Sequence, residues 1–362
     1  MSKKENSILF ELFKNLKPKP KLNGLDWVKK YGTLSAENSA VTGKFKPYRF
    51  QEAWYLSDTD EEVAEEWYFK SARVGYTKRL NFSIAYHIME SPCSQLVFNP
   101  NDKKANEWSK KELKPLLRDI KEVGSKIIKT RQDDTVNFKA YPGGILESRG
   151  GVSASNYAAA TAKRVTYDEY DRFPDDVDGE GSPEELGKKR TATFWDSKNI
   201  FGSTGTIKGH SKIEIGFNKT DMCYFYVPCP YCQGMQQIKF SNIICDKEYR
   251  DGVETWLFDT AYLKCEHCEK RIPHKLKRQM TENKKSHWRQ TQKFFCCGEW
   301  QNPLINNTWS EIDYSKNKYI GEALCYKCKK TAEYNRSGRK KRGWHIWAGY
   351  SASPDSDWKD LM

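Results

Sequence analysis

Residues 70–77 read Lys-Ser-Ala-Arg-Val-Gly-Tyr-Thr. A strand-like run, Trp67-Tyr68-Phe69, precedes them. A helix-like run from Thr77 to Glu90 follows, with Leu80, Ile84 and Ile88 at i, i+4 and i+8. That context suits a phosphate loop, where backbone N–H groups at a helix N-terminus face an anion. The spacing G-x-x-x-x-G-K-[ST] is kept with two departures. Lys70 holds the first glycine position and Tyr76 the lysine position, while Gly75 and Thr77 are in place. The Thr77 hydroxyl suits Mg²⁺, and the cation for the β- and γ-phosphates must come from Lys70, Arg73 or Lys78. A basic turn before a helix is the competing reading. A second pair of groups ends the strand-like run Arg164-Val-Thr-Tyr-Asp168-Glu169. Beside a phosphate loop, the first carboxylate holds Mg²⁺ through water and the next is left to polarise the attacking water. Five further acids between 171 and 180 make a solvated acidic turn the alternative.

Thiols form the third chemical feature. Cys229-x-x-Cys232 and Cys265-x-x-Cys268 are two knuckles separated by 32 residues. Four thiolates at that spacing suit tetrahedral Zn²⁺ in a closed, structural site. A redox Cys-x-x-Cys needs a thioredoxin-like strand–helix context that is missing. Cys325-Tyr-Lys-Cys328 is a further knuckle, but Cys296-Cys297 is not, because adjacent cysteines rarely both reach one ion without strain. A second zinc on Cys296, Cys297, Cys325 and Cys328 therefore stays open, with His267, His274 and His287 as substitute ligands. Cys93 and Cys223 read as buried small hydrophobes.

The elements that must position these groups alternate. Strand-like Gln95–Phe98 follows the helix, and residues 102–128 read as an amphipathic helix broken near Pro115. A hairpin around Pro142-Gly143-Gly144, the strand Arg164–Tyr167 and a strand at Ile200-Phe201 come next. Such alternation predicts an α/β fold with a mostly parallel sheet. The expected domains are a basic N-terminal arm (1–46), a core (47–222), a cysteine-rich zinc-ribbon region (223–335) and a basic linker leading into a further segment (336–362). With 362 residues the chain is long enough for two or three domains. Lys and Arg outnumber Asp and Glu by 61 to 48, and the excess is uneven. Residues 1–48 carry a net +6 and residues 275–342 a net +11, around a slightly acidic middle. Arg336, Arg339, Lys340, Lys341 and Arg342 form the densest run. A phosphate backbone is the sharper reading of this charge, and a solvated face the plainer one. Eleven cysteines without a secretory h-region point to a reducing compartment. The absence of any run of 18 apolar residues excludes a transmembrane helix.

In order along the chain stand Lys70–Lys78, Tyr167-Asp168-Glu169, Gly179-Glu-Gly-Ser-Pro183, Gly202-Ser-Thr-Gly-Thr206, and Cys229-Pro-Tyr-Cys232 followed by Gln237 and Phe240. This set resembles the large terminase subunit of lambda-type tailed phages, the motor of genome packaging. Trp344–Tyr350 resembles the segment that precedes the nuclease there. The resemblance covers roughly 45–360. It implies an ASCE-type phosphate-loop ATPase with Lys70 as a displaced lysine. ATP would lie along Ser71, Ala72, Arg73, Val74, Gly75, Tyr76, Thr77 and Lys78, with Tyr48 and Gln51 near the adenine. Thr77 and Asp168 would bind Mg²⁺, Glu169 would be the catalytic carboxylate, and Arg73 would stabilise γ-phosphate charge in cis. Gly202, Ser203, Thr204, Gly205 and Thr206 would form the coupling motif. The implied partners are double-stranded DNA, a small terminase subunit docking on residues 1–46, the procapsid portal and further copies of the chain, in the host cytoplasm. Since the sequence stops at Met362, before a nuclease, DNA cleavage is not expected of it. The alternative reading is a zinc-ribbon adaptor with an inactive phosphate loop. A helicase would share the core but need a second recombinase-like domain.

Overall fold

A computed structural model describes residues 20–37, 39, 41–158, 160–334, 338–352 and 356–362. Residues 1–19 of the expected arm and Arg336 of the basic run lie outside the described residues.

Eleven strands form the central sheet: β1 (Val63–Lys70), β2 (Gln95–Asn99), β3 (Phe138–Tyr141), β4 (Gly144–Gly150), β5 (Arg164–Asp168), β6 (Lys198–Ser203), β7 (Cys223–Pro228), β8 (Met235–Gln236), β9 (His287–Gln290), β10 (Ile320–Gly321) and β11 (Lys340–Ile346). Their order is β10-β9-β7-β11-β1-β6-β5-β2-β4-β3, with β8 on β7. From β7 through β11, β1, β6, β5 and β2 to β4, every pairing is parallel. The β3–β4 hairpin, β7–β9 and β7–β8 are antiparallel, and β9–β10 is parallel. The α/β, mostly parallel architecture is thus as expected.

The middle strands read as apolar runs because helices cover both faces. On one face Phe98, Tyr167, Phe201 and Trp67 stack across β2, β5, β6 and β1, at 5.4, 4.7 and 4.0 Å between ring centroids. The other face carries Tyr68, Trp344 and Trp288, packed beneath helices α2 (Arg49–Asp58) and α3 (Tyr76–Met89).

Three expectations about organisation change. The sheet does not stop at 222: β7, β9, β10 and β11 belong to it, and β11 lies between β7 and β1. The run at 339–342 is therefore no linker. Lys341 pairs with Glu65 at 3.0 Å, and buried Arg342 with Asp221 at 3.1 Å. Arg339 donates to the carbonyls of Glu61, Val63, Trp195 and Ser197. That charge closes on the core itself. Within the expected arm, α1 (Gly24–Tyr31) is capped by Asn23 and buries Trp27 and Val28 against α2 and α3. In the stretch 102–128 the helical run continues from Asp102 to Asp119, a π-helical turn over Ser109–Leu113 preceding Pro115, and the break falls at Ile120.

The cysteine-rich parts are insertions between sheet strands. One carries the hairpin Ile243–Arg250/Val253–Lys264 and the strand Arg271–Pro273. The other carries the hairpin Phe294–Cys296/Glu299–Gln301. Among the described residues, no helix is long and apolar enough to cross a membrane.

Candidate nucleotide site and cysteine centres

Parallel strands deliver their carboxyl ends to one edge, the usual seat of ligands in such sheets. Register places Ile346 beside Lys70, Ser203 beside Phe69 and Asp168 beside Gly202. A cleft of about 460 Å³ opens there, lined by Lys70, Ser71, Ala72, Thr204–Lys208 and His345–Trp347.

The loop after β1 reverses the chain through two left-handed residues, Arg73 (φ 63°) and Gly75 (φ 79°). A Cβ on Gly75 would lie 2.4 Å from Gln51 Nε2, so glycine is required twice over at that point. Gln51 is buried. Its Nε2 donates to Val74 O at 2.9 Å, and its Oε1 accepts from the Tyr48 N–H at 3.0 Å. In this structure Gln51 thus braces the loop from behind, and Tyr48 starts α2 and stacks on Phe50.

Tyr76, in the usual lysine slot, turns inward. It is buried, its ring fills the space a Gly202 side chain would need, and its hydroxyl has no hydrogen-bond partner among the described residues. The three candidate cations separate clearly. Lys70, only 8% exposed, donates to Glu169 Oε1 at 2.9 Å and lies over the Tyr76 ring. Lys78 pairs with Glu112 at 2.8 Å. Arg73 stands exposed at the loop apex, where its carbonyl accepts from Ser351 Oγ at 2.8 Å. Thr77 opens α3, half-buried.

Asp168 ends β5. Burial, with Glu169 beside it, pushes its carboxyl up to about 6 against the pull of Lys70. Glu169 follows in a left-handed conformation (φ 56°), which separates the two carboxylates. Its other oxygen is 3.6 Å from Arg172.

Two residues bearing on the site went unrecognised in the sequence. Asp171 accepts from Thr206 N at 3.0 Å, Thr206 Oγ1 at 2.9 Å and Ile213 N at 2.7 Å, and its own N–H donates to Ser203 Oγ. It ties the carboxylate turn to Gly202–Thr206. Glu112 also takes a bond from Asn81 at 2.8 Å and adds negative charge near Asp168. Asp171 stood in an acidic run and Glu112 in a helix, so neither carried a motif. Beneath α3 lies an ion cluster in which Arg79 pairs with Asp58 and Glu66, and Arg164 with Asp58. Despite burial, the two guanidiniums hold Asp58 well below the usual carboxylate range.

The thiols converge as two tetrads, each with its sulfurs within 4.8 Å of one another. Cys229–Cys268 and Cys232–Cys265 are 3.9 and 3.8 Å apart. A tetrahedron with Zn–S bonds of about 2.3 Å has edges of about 3.8 Å, so the donor set fits zinc. N–H groups of Tyr231, His267 and Cys268 point at the sulfurs. In the second tetrad Cys296–Cys328, Cys296–Cys297 and Cys297–Cys325 measure 3.6, 3.8 and 3.9 Å. Adjacent Cys296 and Cys297 both reach the centre because Cys297 is left-handed (φ 53°) and Gly298 follows it (φ 80°). The histidines are not part of either tetrad. Cys93, Cys223 and also Cys245 are buried.

A loop strand separated by one strand from a carboxylate strand, with the loop opening a helix, is the arrangement of an ATPase domain. Residues 35–288 match the family described as phage terminase large subunit gpA, ATPase domain, and the chain belongs to that family. It is 34% identical to the terminase large subunit of Enterobacteria phage P21 over 227 residues, 61% of this chain and 35% of that one. It is 31% identical to the terminase large subunit of Escherichia phage lambda over 260 residues, 69% of this chain and 40% of that one. The chain thus spans well under half the length of these relatives. Among solved structures, the HK97 bacteriophage large terminase aligns over 54% of this chain and 41% of its own (TM-score 0.44, 10% identity). The Thermus phage P74-26 large terminase ATPase domain aligns over 49% and 71% (TM-score 0.37, 19% identity).

Proposed function

We propose that this chain is an ASCE-type ATP hydrolase that drives double-stranded DNA into a viral procapsid. The observation that carries the reading is the Lys70–Glu169 contact at the carboxyl ends of β1 and β5. It supports reading Lys70 as the displaced lysine and Glu169 as the carboxylate that would polarise water. Backbone N–H groups of Ser71–Lys78 would cradle the phosphates. Thr77 and the carboxylate of Asp168 would hold Mg²⁺, which supplies charge neutralisation on the phosphate oxygens. Glu169, released from Lys70 as the lysine turns to phosphate, would accept a proton from the in-line water. Arg73 at the loop apex suits the γ-phosphate charge, and Tyr48, next to the loop brace Gln51, the adenine side. Loss of the γ-phosphate would reach Gly202–Thr206 through Asp171, which follows the carboxylate pair and bonds Ser203 and Thr206.

In this reading Cys229, Cys232, Cys265 and Cys268 hold one structural Zn²⁺, and Cys296, Cys297, Cys325 and Cys328 a second. A small terminase subunit docking on residues 1–46, the portal, a ring of like subunits and action in the host cytoplasm complete the proposal by family. An adaptor with a dead loop is the second reading. Tyr76 in the lysine slot favours it, and the retained Glu169–Lys70 pair opposes it. The deciding experiment is Mg²⁺-dependent ATP hydrolysis by the purified chain, with and without duplex DNA. Turnover stimulated by DNA is expected, and nucleotide binding without any turnover would leave the adaptor reading.

A further inference from the structure

The two cysteine-rich insertions stand on either side of a groove of about 950 Å³. Gln237, Lys239 and His267 come from one wall and Lys293, Asn302 and Trp309 from the other. Its floor is sheet. Tyr226 on β7 and Trp309 clamp the guanidinium of Arg289 on β9, at 4.8 and 4.5 Å from the ring centroids. Arg289 Nε donates to His287 Nε2 at 3.0 Å, which fixes the plane of the fork. No carboxylate lies within ion-pair distance of Arg289 among the described residues, and burial lowers its pKa. A cation held half-buried between two rings without a counter-ion costs free energy until an anion arrives. The lining supports that sign. Glu266 is its one carboxylate, and it is already paired with Lys239 at 2.7 Å. The larger groove of about 1160 Å³ elsewhere on the molecule is mixed in sign, with six carboxylates beside Lys330, Arg339, Lys340 and Lys341 in its walls.

We propose that the groove between the insertions is a duplex-DNA contact in which Arg289, stacked between Tyr226 and Trp309, takes a backbone phosphate as a bidentate partner, with Lys293 on a neighbouring phosphate. A planar fork matches phosphate oxygens, and its rigidity spares the entropy a free lysine would lose. Contacts of this kind hold any sequence, as a translocating motor needs. The end of β11 and the segment after it give the contact a route to the chemistry. His345 and Trp347 line both this groove and the nucleotide cleft. Trp347 Nε1 donates to Ile238 O at 2.6 Å in the first insertion, and Ser351 Oγ to Arg73 O in the loop.

This inference rests on the DNA-motor reading, so its test separates the two. Anisotropy of a fluorescent duplex of arbitrary sequence is titrated with the full chain between about 50 and 200 mM salt. Turnover with and without duplex, and binding of a fluorescent ATP analogue, are measured beside it. R289Q and K293A are each expected to bind DNA about 5- to 10-fold more weakly and to lower the salt slope by about one. Both should keep analogue affinity and basal turnover and lose stimulation by DNA. Lys293 is exposed, so K293A keeps the test valid should R289Q misfold. Wild-type affinity and slope in K293A and in a folded R289Q would overturn the groove while leaving the motor reading intact. Loss of analogue affinity with DNA affinity kept would make the groove a nucleotide-anion site and overturn it equally. An unsubstituted chain that binds no duplex would sink both.

Discussion

The nucleotide edge and the cysteine-rich insertions are held by opposite means. The edge stands on a sheet whose middle strands share a four-ring aromatic stack and a buried ion cluster. Its reactive groups hang on strand ends, so a change of one side chain leaves the frame in place. The second insertion encloses a small apolar cluster of its own, Phe294, Ala323 and Cys325. The first displays Tyr249, Val253, Trp256 and Phe258 along its hairpin. Cores that small do not stand without a cross-link. On the proposed reading, the chemistry sits on the sheet edge and the contact surface on insertions that a metal at the thiol tetrads would stiffen.

The largest effect should be chemical and confined to the edge. Glu169→Gln is expected to cut turnover about 10²- to 10⁴-fold while the chain melts normally and binds nucleotide. A variant that hydrolyses ATP at the normal rate would take the role away from Glu169.

The next should be confined to the insertions. Atomic emission is expected to find one zinc per tetrad, so two per chain, and one in Cys265→Ser. Chelation should collapse the near-ultraviolet signal of the insertions, since binding free energy is folding free energy in such modules. Analogue binding at the cleft should survive. If stripping the metal changes neither signal nor melting, the contrast drawn above is wrong.

Lys70→Ala against Lys78→Ala sharpens the edge itself. Nucleotide affinity should fall about tenfold or more for Lys70, whose partner is Glu169, and about threefold or less for Lys78, which is engaged with Glu112. The reverse order in a binding titration would move the phosphate role to Lys78.

Much of this was legible. The strand–loop–helix at 63–89 and the strand ending in Asp168-Glu169 are local, and their patterns are written in consecutive residues. The knuckles are local too. What stayed hidden is non-local. β11 is parallel to β1 across more than 270 residues, and its first three residues are cations that resemble a linker. Only the partners Glu65 and Asp221, far away in sequence, tie Lys341 and buried Arg342 to the core. The adjacent Cys296 and Cys297 looked unfit for one ion because a left-handed non-glycine residue cannot be assumed from sequence. Asp171 was hidden by its acidic neighbours, since only the fold shows which carboxylate meets Thr206.

The smallest effect is a tilt of stability with pH, and it tests the frame alone. His87, on α3, is buried, and desolvation with the nearby Arg164 charge lowers its pKa to about 4. In the unfolded chain an imidazole titrates near 6.5. Between those values the unfolded state binds the extra proton, so stability falls as pH drops from about 6.5 toward 4 and does not change on this account above 6.5. The ceiling is about 1.4 kcal/mol per pH unit. His87→Gln should therefore show a shallower fall in Tm between pH 6.5 and 5 than the unsubstituted chain. Zinc release in acid, which protonation of thiolates governs, should not respond to the substitution. Equal Tm slopes in the two proteins would mean that the buried imidazole does not report on the frame. A shift in the zinc-release midpoint would mean that frame and insertions titrate as one unit.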